Sequence, residues 1–244
     1  MNYFDRKRKY LTTPKNNEYI KDGLQLWLDG IENSRSGHKV DALSVLEDIS
    51  GNNYDFTLVS GPPTSVGDNC LYFSLSVYKN SNEGLMSLLS EVKERTIEIV
   101  CTIDDSDTTA KTIFMGAKSG NASSGVGMWY RPASGGMCTG SATTKAQRIS
   151  DITNPHTYTA IYDAISLNNT KFYQDNVLCS TATGGSMANS GQISLGGRYY
   201  NGSYNYYFKG KIYCVRVYNR QLTQVEIEHN RKIDKERFGI WYVS

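Results

Sequence analysis

The sequence has no long hydrophobic run and little proline or cysteine. Of 244 residues, five are proline and five are cysteine. No segment approaches the roughly 18–20 consecutive apolar residues of a membrane-spanning helix, so we expect no membrane partner. The chain begins MNYFDRKRKY, without the apolar core of a secretion signal. We therefore expect a protein that acts where it is made, or that leaves the cell inside a particle released by lysis.

The cysteines and histidines form no local metal or catalytic motif. The cysteines are widely spaced, without a C-x-x-C pair, and we interpret them as free thiols. The histidines at 38, 156 and 229 are too far apart in sequence to make a ligand motif. The sequence also contains no Walker A motif and no G-x-S-x-G.

An excess of charge of one sign is missing as well. The chain has 26 Lys and Arg against 24 Asp and Glu, which gives a formal net charge of +2. A nucleic-acid-binding surface needs a clustered basic excess. The one basic cluster, residues 6–9, is interpreted as part of a solvated tail. We expect no nucleic-acid partner.

Glycine, tyrosine and short alternating segments are abundant. The 22 Gly and 18 Tyr favour strands and tight turns. The segment TIEIVCTID (96–104) is the clearest strand, because Ile97, Ile99 and Cys101 alternate with other residues. Similar segments recur at 22–30, 54–58, 70–78, 112–118, 125–131, 156–164, 169–180, 192–200 and 208–219. Helices do not alternate with them, so we predict an all-β fold, a two-sheet antiparallel β-sandwich.

Two helices are predicted. Leucines at helical spacing indicate a short helix within 84–95, and 222–239 has the signals of a C-terminal helix. Thr223 and Glu226 make a capping box at its start, and Gly239 is placed to end it. The candidates for its buried side are Val225, Ile227, Ile233 and Phe238.

The organisation predicted is one domain with an extension. Residues 1–21 are polar and basic without a clear period, so we predict an N-terminal polar arm there. The domain is predicted to cover residues 22–244.

The C-terminal run YFKGKIYCVRVYNRQLTQVEIEHN (207–230) resembles the signature of laminin-G-like, concanavalin A-like jelly-roll domains. The residues that carry this resemblance are Phe208, Gly210, Ile212, Tyr218, Asn219, Arg220, Leu222 and Glu226. Three earlier segments of the chain also resemble motifs of this family and occur in the same order. DISGNN (48–53) is similar to an early turn of the family, and QISLGGR (192–198) to a later strand. The segment 156–180 is similar to its strand pair around a hairpin, and we predict the hairpin tip at 173–176, because Asp-Asn turns tolerate positive φ.

The resemblance implies a concanavalin A-like jelly roll with a short C-terminal helix, a fold that hosts both glycosidases and binding modules. The alternating acids of jelly-roll glucanases are missing, since Glu98 alone lies within its strand. We therefore expect a non-enzymatic protein. No cofactor is required, but calcium is common in the family, and Asp48 and Asn52 are the candidate ligands. Asp104, Asp105 and Asp107 form a second acidic cluster, which we interpret as a solvated turn.

The candidate ligand-binding residues are aromatic. A tyrosine offers a flat apolar face and a polar end, which suit a sugar ring or a protein partner. RYYNGSYNYYF (198–208) and GMWYRP (127–132) are the two segments densest in such residues. The candidate binding residues are Trp129, Tyr130, Arg131, Tyr199, Tyr200, Tyr204 and Tyr206.

Two non-enzymatic function classes follow for a jelly roll without an acid pair. One is a surface- or glycan-binding protein displayed on a bacteriophage virion, because similar jelly rolls with openings like DGLQLWLDG (22–30) occur among phage proteins. In that case the arm would dock on other virion proteins, and we expect a homo-oligomer. The alternative is a polysaccharide-binding accessory module of a bacterial cell-surface or glycan-degradation system. A glycoside hydrolase is the third possibility.

Overall fold

The computed structural model describes residues 18–34, 43–66, 69–90, 94–104, 109–116, 126–132, 136–139, 147–148, 151–163, 170–182, 192–200 and 202–239. Within these ranges the chain is mostly strand. The strands are Leu24–Asp29 (β1), Val45–Leu46 (β2), Phe56–Ser60 (β3), Thr64–Val66 (β4), Cys70–Ser74 (β5), Val77–Asn80 (β6), Arg95–Ile103 (β7), Lys111–Gly116 (β8), Val126–Arg131 (β9), Gly136–Thr139 (β10), Gln147–Arg148 (β11), His156–Tyr162 (β12), Thr170–Gln174 (β13), Val177–Ala182 (β14), Ile193–Leu195 (β15), Arg198–Tyr200 (β16), Ser203–Asn205 (β17) and Lys209–Tyr218 (β18). The helices are Gly30–Ser34 (α1), Glu83–Ser90 (α2) and Gln224–Phe238 (α3).

Two large antiparallel sheets make up the body. Sheet A has the order β14-β13-β12-β7-β18-β5-β4, and β1 also pairs with β18. Sheet B has the order β11-β10-β9-β8-β15-β6-β3-β2. Both sheets contribute buried apolar residues to one cluster, for example Ile97 and Ile99 from sheet A and Val126 and Met128 from sheet B. The predicted two-sheet antiparallel β-sandwich is confirmed.

Steric crowding explains why the C-terminal motif has a glycine at position 210. Gly210 lies near the start of β18 with φ of 147°, and a Cβ added there would come within 2.2 Å of the Thr102 carbonyl oxygen. A larger residue would push β18 away from β7, its neighbour in sheet A. This position therefore helps to set the spacing of the two central strands.

Helix α3 begins and ends as the sequence predicts. The amide of Thr223 donates to Glu226 Oε2 at 2.8 Å, and the amide of Glu226 donates to Thr223 Oγ1 at 3.3 Å. Gly239 ends the helix with φ of 68°. Ile227, Ile233 and Phe238 are buried as expected, but Val225 is 76% exposed. The prediction for Val225 is wrong because Val225 lies two residues, about 200° around the helix, from the buried Ile227, and so on the solvent-facing side of α3.

A second apolar cluster lies on the outer face of sheet A, where α3 covers it. It includes Val100 of β7, Tyr213 of β18 and Ile227 of α3. The central strands β7 and β18 of sheet A are therefore covered on both faces, by sheet B on one side and by α3 on the other.

A fully buried ionic cluster lies between sheet A and α3. The Arg216 guanidinium on β18 donates from Nη1 and Nη2 to the two carboxylate oxygens of Asp234 on α3, both at 2.7 Å. Its Nε donates to Glu98 Oε2 on β7 at 3.0 Å. All three side chains have no exposed surface. One cation thus ties two strands of sheet A to the helix.

The electrostatics of the cluster follow from its burial and its charges. Burial raises the pKa of Glu98 above its ordinary value, although Arg216 acts in the opposite direction. Burial alone would lower the pKa of Arg216, but Asp234 and the other nearby groups hold it well above its usual value. Asn230 donates to Glu98 Oε2 at 2.8 Å, and Thr157 donates to Asp234 Oδ2 at 3.1 Å. The carboxylates therefore have the neutral donors that buried charges require.

The residues just before β1 pack against the same ionic cluster. Tyr19 is 2% exposed, and its hydroxyl donates to Asp234 Oδ1 at 2.7 Å. Its ring lies against Trp27, with centroids 5.1 Å apart, and covers the Arg216 guanidinium at 4.1 Å. Residues 18–21 of the predicted arm thus pack on the domain, whereas residues 1–17 lie outside the described residues. No helix in the described ranges is long and apolar enough to cross a membrane.

We predict that Arg216→Met lowers the free energy of unfolding by about 3–5 kcal/mol, because it leaves two buried carboxylates without their cation. Chemical denaturation followed by tryptophan fluorescence measures the change.

The matched control is Glu98→Gln. It keeps the shape of the side chain and leaves Arg216 paired one-to-one with Asp234, so we expect a loss of about 1 kcal/mol or less. A loss for Arg216→Met no greater than that for Glu98→Gln would contradict the importance of this cation.

Candidate functional site

The tyrosine-dense segment forms a short hairpin at one end of sheet B. After β15, residues 196–197 turn the chain into β16, which pairs with β17. Gly196 has φ of 86°, and a Cβ there would come within 2.3 Å of the Ser76 carbonyl oxygen, so only glycine fits the turn. The amide of Thr112 on β8 donates to the Tyr206 carbonyl at 2.8 Å, which ties the end of the hairpin to the sheet. We call residues 198–206 the tyrosine hairpin.

Strand register divides the tyrosine hairpin into two faces. Tyr199 pairs with Tyr204 across the strands, so these two side chains share one face. Their ring centroids are 4.9 Å apart, and the Tyr204 hydroxyl donates to Gln192 Oε1 at 2.6 Å. Burial raises the pKa of Tyr204 to about 12. This face is largely engaged with the protein itself.

The opposite face is more open and contains an arginine. Arg198 pairs with Asn205, and Tyr200 lies on the same side, because side chains two residues apart share a face. The Arg198 guanidinium lies 4.7 Å from the Tyr200 ring centroid and 4.6 Å from that of Tyr206. Its Nε donates to Asn205 Oδ1 at 3.1 Å. Each cation–π contact at such a partly exposed site contributes about 0.5–1 kcal/mol.

Tyr200 and Tyr206 keep the most accessible rings of this face. Each is 40% exposed, more than any other tyrosine in the described part of the chain. The backbone of Tyr206 has φ of 50°, a left-handed conformation that turns its side chain back towards Arg198. The result is two open aromatic rings that both contact one guanidinium.

Sequence reasoning finds the tyrosines but misses Arg198 and Asn205. The signal that could have found them is the period of two that puts Arg198 on the face of Tyr200. Asn205 follows only from the strand register, which the sequence alone does not fix.

The second predicted aromatic segment lies nearby, but its rings are buried. Thr112, which bonds to Tyr206, is paired with Trp129 on β9, so the two segments meet through β8. Tyr130 is 3% exposed because its ring points into the core between the sheets, and Trp129 is 7% exposed. Neither offers a ring face to a ligand, which corrects the prediction for these two residues. Arg131 is exposed at the end of β9.

The predicted calcium ligands Asp48 and Asn52 serve the turn that contains them. Asp48 has no exposed surface, and each carboxylate oxygen accepts two hydrogen bonds from the protein. The donors are the amides of Trp27, Ser50 and Tyr54 and the Ser50 hydroxyl. Asn52 donates its amide to the Gln25 carbonyl at 2.9 Å. These residues do not fit a calcium ion, because the Asp48 oxygens already have their full set of donors.

The second acidic cluster is only partly within the described residues. Asp104 pairs with Lys209 at 3.2 Å and accepts a hydrogen bond from the Tyr72 hydroxyl at 3.4 Å. Asp105 and Asp107 lie outside the described residues. Within those residues, no three His, Cys, Asp or Glu side chains are grouped so that they could hold a metal ion.

A titratable cluster at the β13–β14 turn has a structural role. Asp175 and Asn176 have φ of 51° and 68°, the positive values of a two-residue hairpin turn, as the sequence predicts. His156 Nδ1 lies 2.5 Å from Asp175 Oδ2, and its Nε2 lies 3.7 Å from Asp151 Oδ2. Arg231 on α3 lies 3.4 Å from Asp175 Oδ1. The cluster therefore joins sheet A to α3.

The cluster does not have the chemistry of a retaining glycosidase. Such an enzyme needs two carboxyl groups about 5 Å apart, one of which holds a proton near neutral pH. Asp151 has its pKa lowered to about 2 by hydrogen bonds from Thr153 and Asn154, although burial acts against them. The pKa of Asp175 is also lowered by His156, against the effect of burial. Glu98 and Asp234 each pair with Arg216, and both side chains are fully buried.

A family model agrees with this architecture. The model described as the concanavalin A-like lectin/glucanases superfamily matches residues 75–228, more than half of the chain. The match includes β6 to β18 and the start of α3. No curated protein matches the sequence.

Solved structures with a similar fold include an enzyme and toxin binding domains. Trypanosoma rangeli sialidase in complex with sialic acid is 14% identical with a TM-score of 0.65, covering 96% of this chain and 38% of that one. A botulinum neurotoxin type C structure, described with cell entry through two ganglioside molecules, is 14% identical with a TM-score of 0.58 and covers 91% and 53%. The botulinum neurotoxin serotype D/C binding domain is 14% identical with a TM-score of 0.57, covering 87% and 52%. The chain thus spans about a third to a half of these proteins, and the likeness shows the fold.

We predict that the stability contributed by the His156–Asp175 pair falls as pH rises above neutral. Burial alone would lower the pKa of His156, but Asp175 and Asp151 outweigh it and raise the pKa above 6.5. A raised histidine pKa gives stability that is complete below the ordinary pKa and is lost as pH rises through the folded-state value. On the acid side, the pair is lost as pH falls through the lowered pKa of Asp175.

Chemical denaturation at a series of pH values tests this dependence. His156→Gln should flatten the slope on the alkaline side, while the control His229→Gln should keep it, since the described contact of His229 is with the Glu18 carbonyl. An unchanged slope in His156→Gln would show that the pair does not control it.

Proposed function

Because the chain belongs to the concanavalin A-like lectin/glucanase superfamily, we propose that it binds glycans without cleaving them and that the tyrosine hairpin is the binding surface. The observation that carries this proposal is the open face of the hairpin. Tyr200 and Tyr206 are each 40% exposed, and both rings contact the Arg198 guanidinium.

The chemistry of this face suits a sugar. A pyranose ring has an apolar side that packs on an aromatic ring and hydroxyl groups that need hydrogen-bond partners. Ser203 and Asn205 lie on the same face as Tyr200 and can supply such partners. The hairpin is also held firmly, by the Gly196 turn and by the bond from Thr112 to Tyr206. A surface that is ordered before binding loses less conformational entropy when the ligand arrives.

The comparisons support a glycan as the partner. The sialidase is described in complex with sialic acid, and the neurotoxin with two ganglioside molecules. Both ligands contain sugars, and both proteins share the fold of this chain over most of its length.

The carboxylates support a binding role rather than hydrolysis. Among the described residues, Glu98 and Asp234 are sealed under α3, and Asp151 and Asp175 lie around His156 with lowered pKa values. Neither arrangement supplies a protonated acid over an open groove. Release of reducing sugar from any bound glycan would overturn this part of the proposal.

We predict that Tyr200→Ala and Tyr206→Ala each weaken glycan binding by about tenfold or more, which corresponds to about 1.4 kcal/mol. Each substitution removes a ring face that the ligand would cover. A glycan array first identifies a ligand, and calorimetry with that ligand measures the change.

The matched control is Val177→Ala on β14, an apolar residue that is 63% exposed. It should bind like the wild type. The proposal is wrong if the array shows no bound glycan, or if both tyrosine variants bind as tightly as the control.

The setting of this activity is also proposed. We favour display on a bacteriophage virion, as capsid decoration, head fibre or tail component, with the N-terminal arm docked on other virion proteins. The alternative is an accessory module of a bacterial polysaccharide-degradation system. We expect the protein to sediment with purified phage particles from lysates, as detected by mass spectrometry. Its recovery only in the particle-free fraction would favour the alternative.

A further inference from the structure

Arg198 is held in place while its terminal nitrogens remain available. The rings of Tyr200 and Tyr206 contact its guanidinium at 4.7 and 4.6 Å, and its Nε donates to Asn205. In the described structure, Nη1 and Nη2 have neither a hydrogen-bond partner nor an ion pair. The guanidinium is thus oriented by three contacts and still has four unused N–H donors.

Other arginines of the domain behave differently. Arg216 pairs with Asp234 and Glu98, Arg220 pairs with Glu226, and Arg237 pairs with Asp29. Arg198 lies instead among tyrosines, Ser203 and Asn205, which carry no negative charge. The tyrosine hairpin therefore has an oriented positive charge without an acidic partner of its own.

The geometry of a guanidinium decides which anion fits. Its two terminal nitrogens lie in one plane and donate in parallel, which matches the two oxygens of a carboxylate. Arg198 is the single cation among the described hairpin residues, 198–200 and 202–206, so the charge is suited to an anion with a single negative charge. A carboxylate meets both conditions.

We propose that the tyrosine hairpin selects acidic sugars, those with a ring carboxylate such as a uronic or a nonulosonic acid. Arg198 pairs with the carboxylate through Nη1 and Nη2, and Tyr200 or Tyr206 packs on the sugar ring beside it. This inference rests on the proposed glycan binding, because it names the class of glycan that the same surface takes.

The first experiment compares matched ligands on the wild-type protein and needs no variant. The probes are 3′-sialyllactose against lactose, and trigalacturonate against the same trisaccharide after carboxyl reduction. We expect calorimetry to show binding of at least one acidic probe about tenfold or more tighter than its neutral partner, as a charged hydrogen-bonded pair contributes. The preference should also weaken as the salt concentration rises.

The second experiment removes the charge. Arg198→Gln should bring the affinity for the acidic probe down to that for the neutral one, and Arg198→Lys should lose most of the preference, because lysine lacks the planar fork. Asn205→Ala should reduce the preference partly, since it releases one of the contacts that orient Arg198. Circular dichroism of each variant confirms that the sandwich is folded.

The outcomes separate this inference from the proposed function. Equal binding of acidic and neutral probes, or a preference that survives in Arg198→Gln, would overturn the acidic selectivity and leave glycan binding intact. Equally tight binding of 6-sulfolactose would overturn the assignment of a carboxylate in favour of anions in general. If neither these probes nor an array gives any binding, the proposed function itself fails, and this inference fails with it.

Discussion

The arrangement of this protein depends on how one buried cation is neutralised. Arg216 on β18 is bonded to Glu98 on the neighbouring strand and, through two parallel bonds, to Asp234 on α3. Because a charge removed from water needs its partners in place, the helix has one position over the sheet in which the cluster is satisfied. Tyr19 completes the cluster from the other end of the chain. The carboxylates of Glu98 and Asp234 are thereby buried between sheet A and α3.

The proposed binding surface lies away from this cluster, on the tyrosine hairpin. The tyrosine hairpin occupies the end of sheet B where β8 begins, fixed by a glycine turn and by a backbone bond to Thr112. One of its faces is used for contacts within the protein, and the other presents two rings around an oriented guanidinium. Helix α3 thus stabilises the fold, and the tyrosine hairpin is the proposed binding surface.

Local patterns in the sequence were sufficient for the longer elements of the fold. Alternation located most of the long strands, the Thr223–Glu226 box located the start of α3, and the Asp175–Asn176 turn was correctly placed. The short elements β2, β4, β10, β11, β17 and α1 were not predicted. The burial of Trp129 and Tyr130 could not be predicted in this way, because alternation does not say whether the second face of a sheet is covered. The roles of Arg198 and Arg216 depend on strand register and on where a helix docks, which are properties of the three-dimensional structure.

NMR can test directly whether the ligand binds at the tyrosine hairpin while α3 has only a structural role. Backbone amide spectra of the isotopically labelled protein, titrated with a bound oligosaccharide, map the ligand to individual residues without any substitution. The account predicts that the largest shift changes fall on residues 198–206 and on Thr112, while the amides of α3 and of the centre of β18 stay unchanged. Shift changes concentrated around Glu98, Arg216 and Asp234, with the hairpin unaffected, would contradict it.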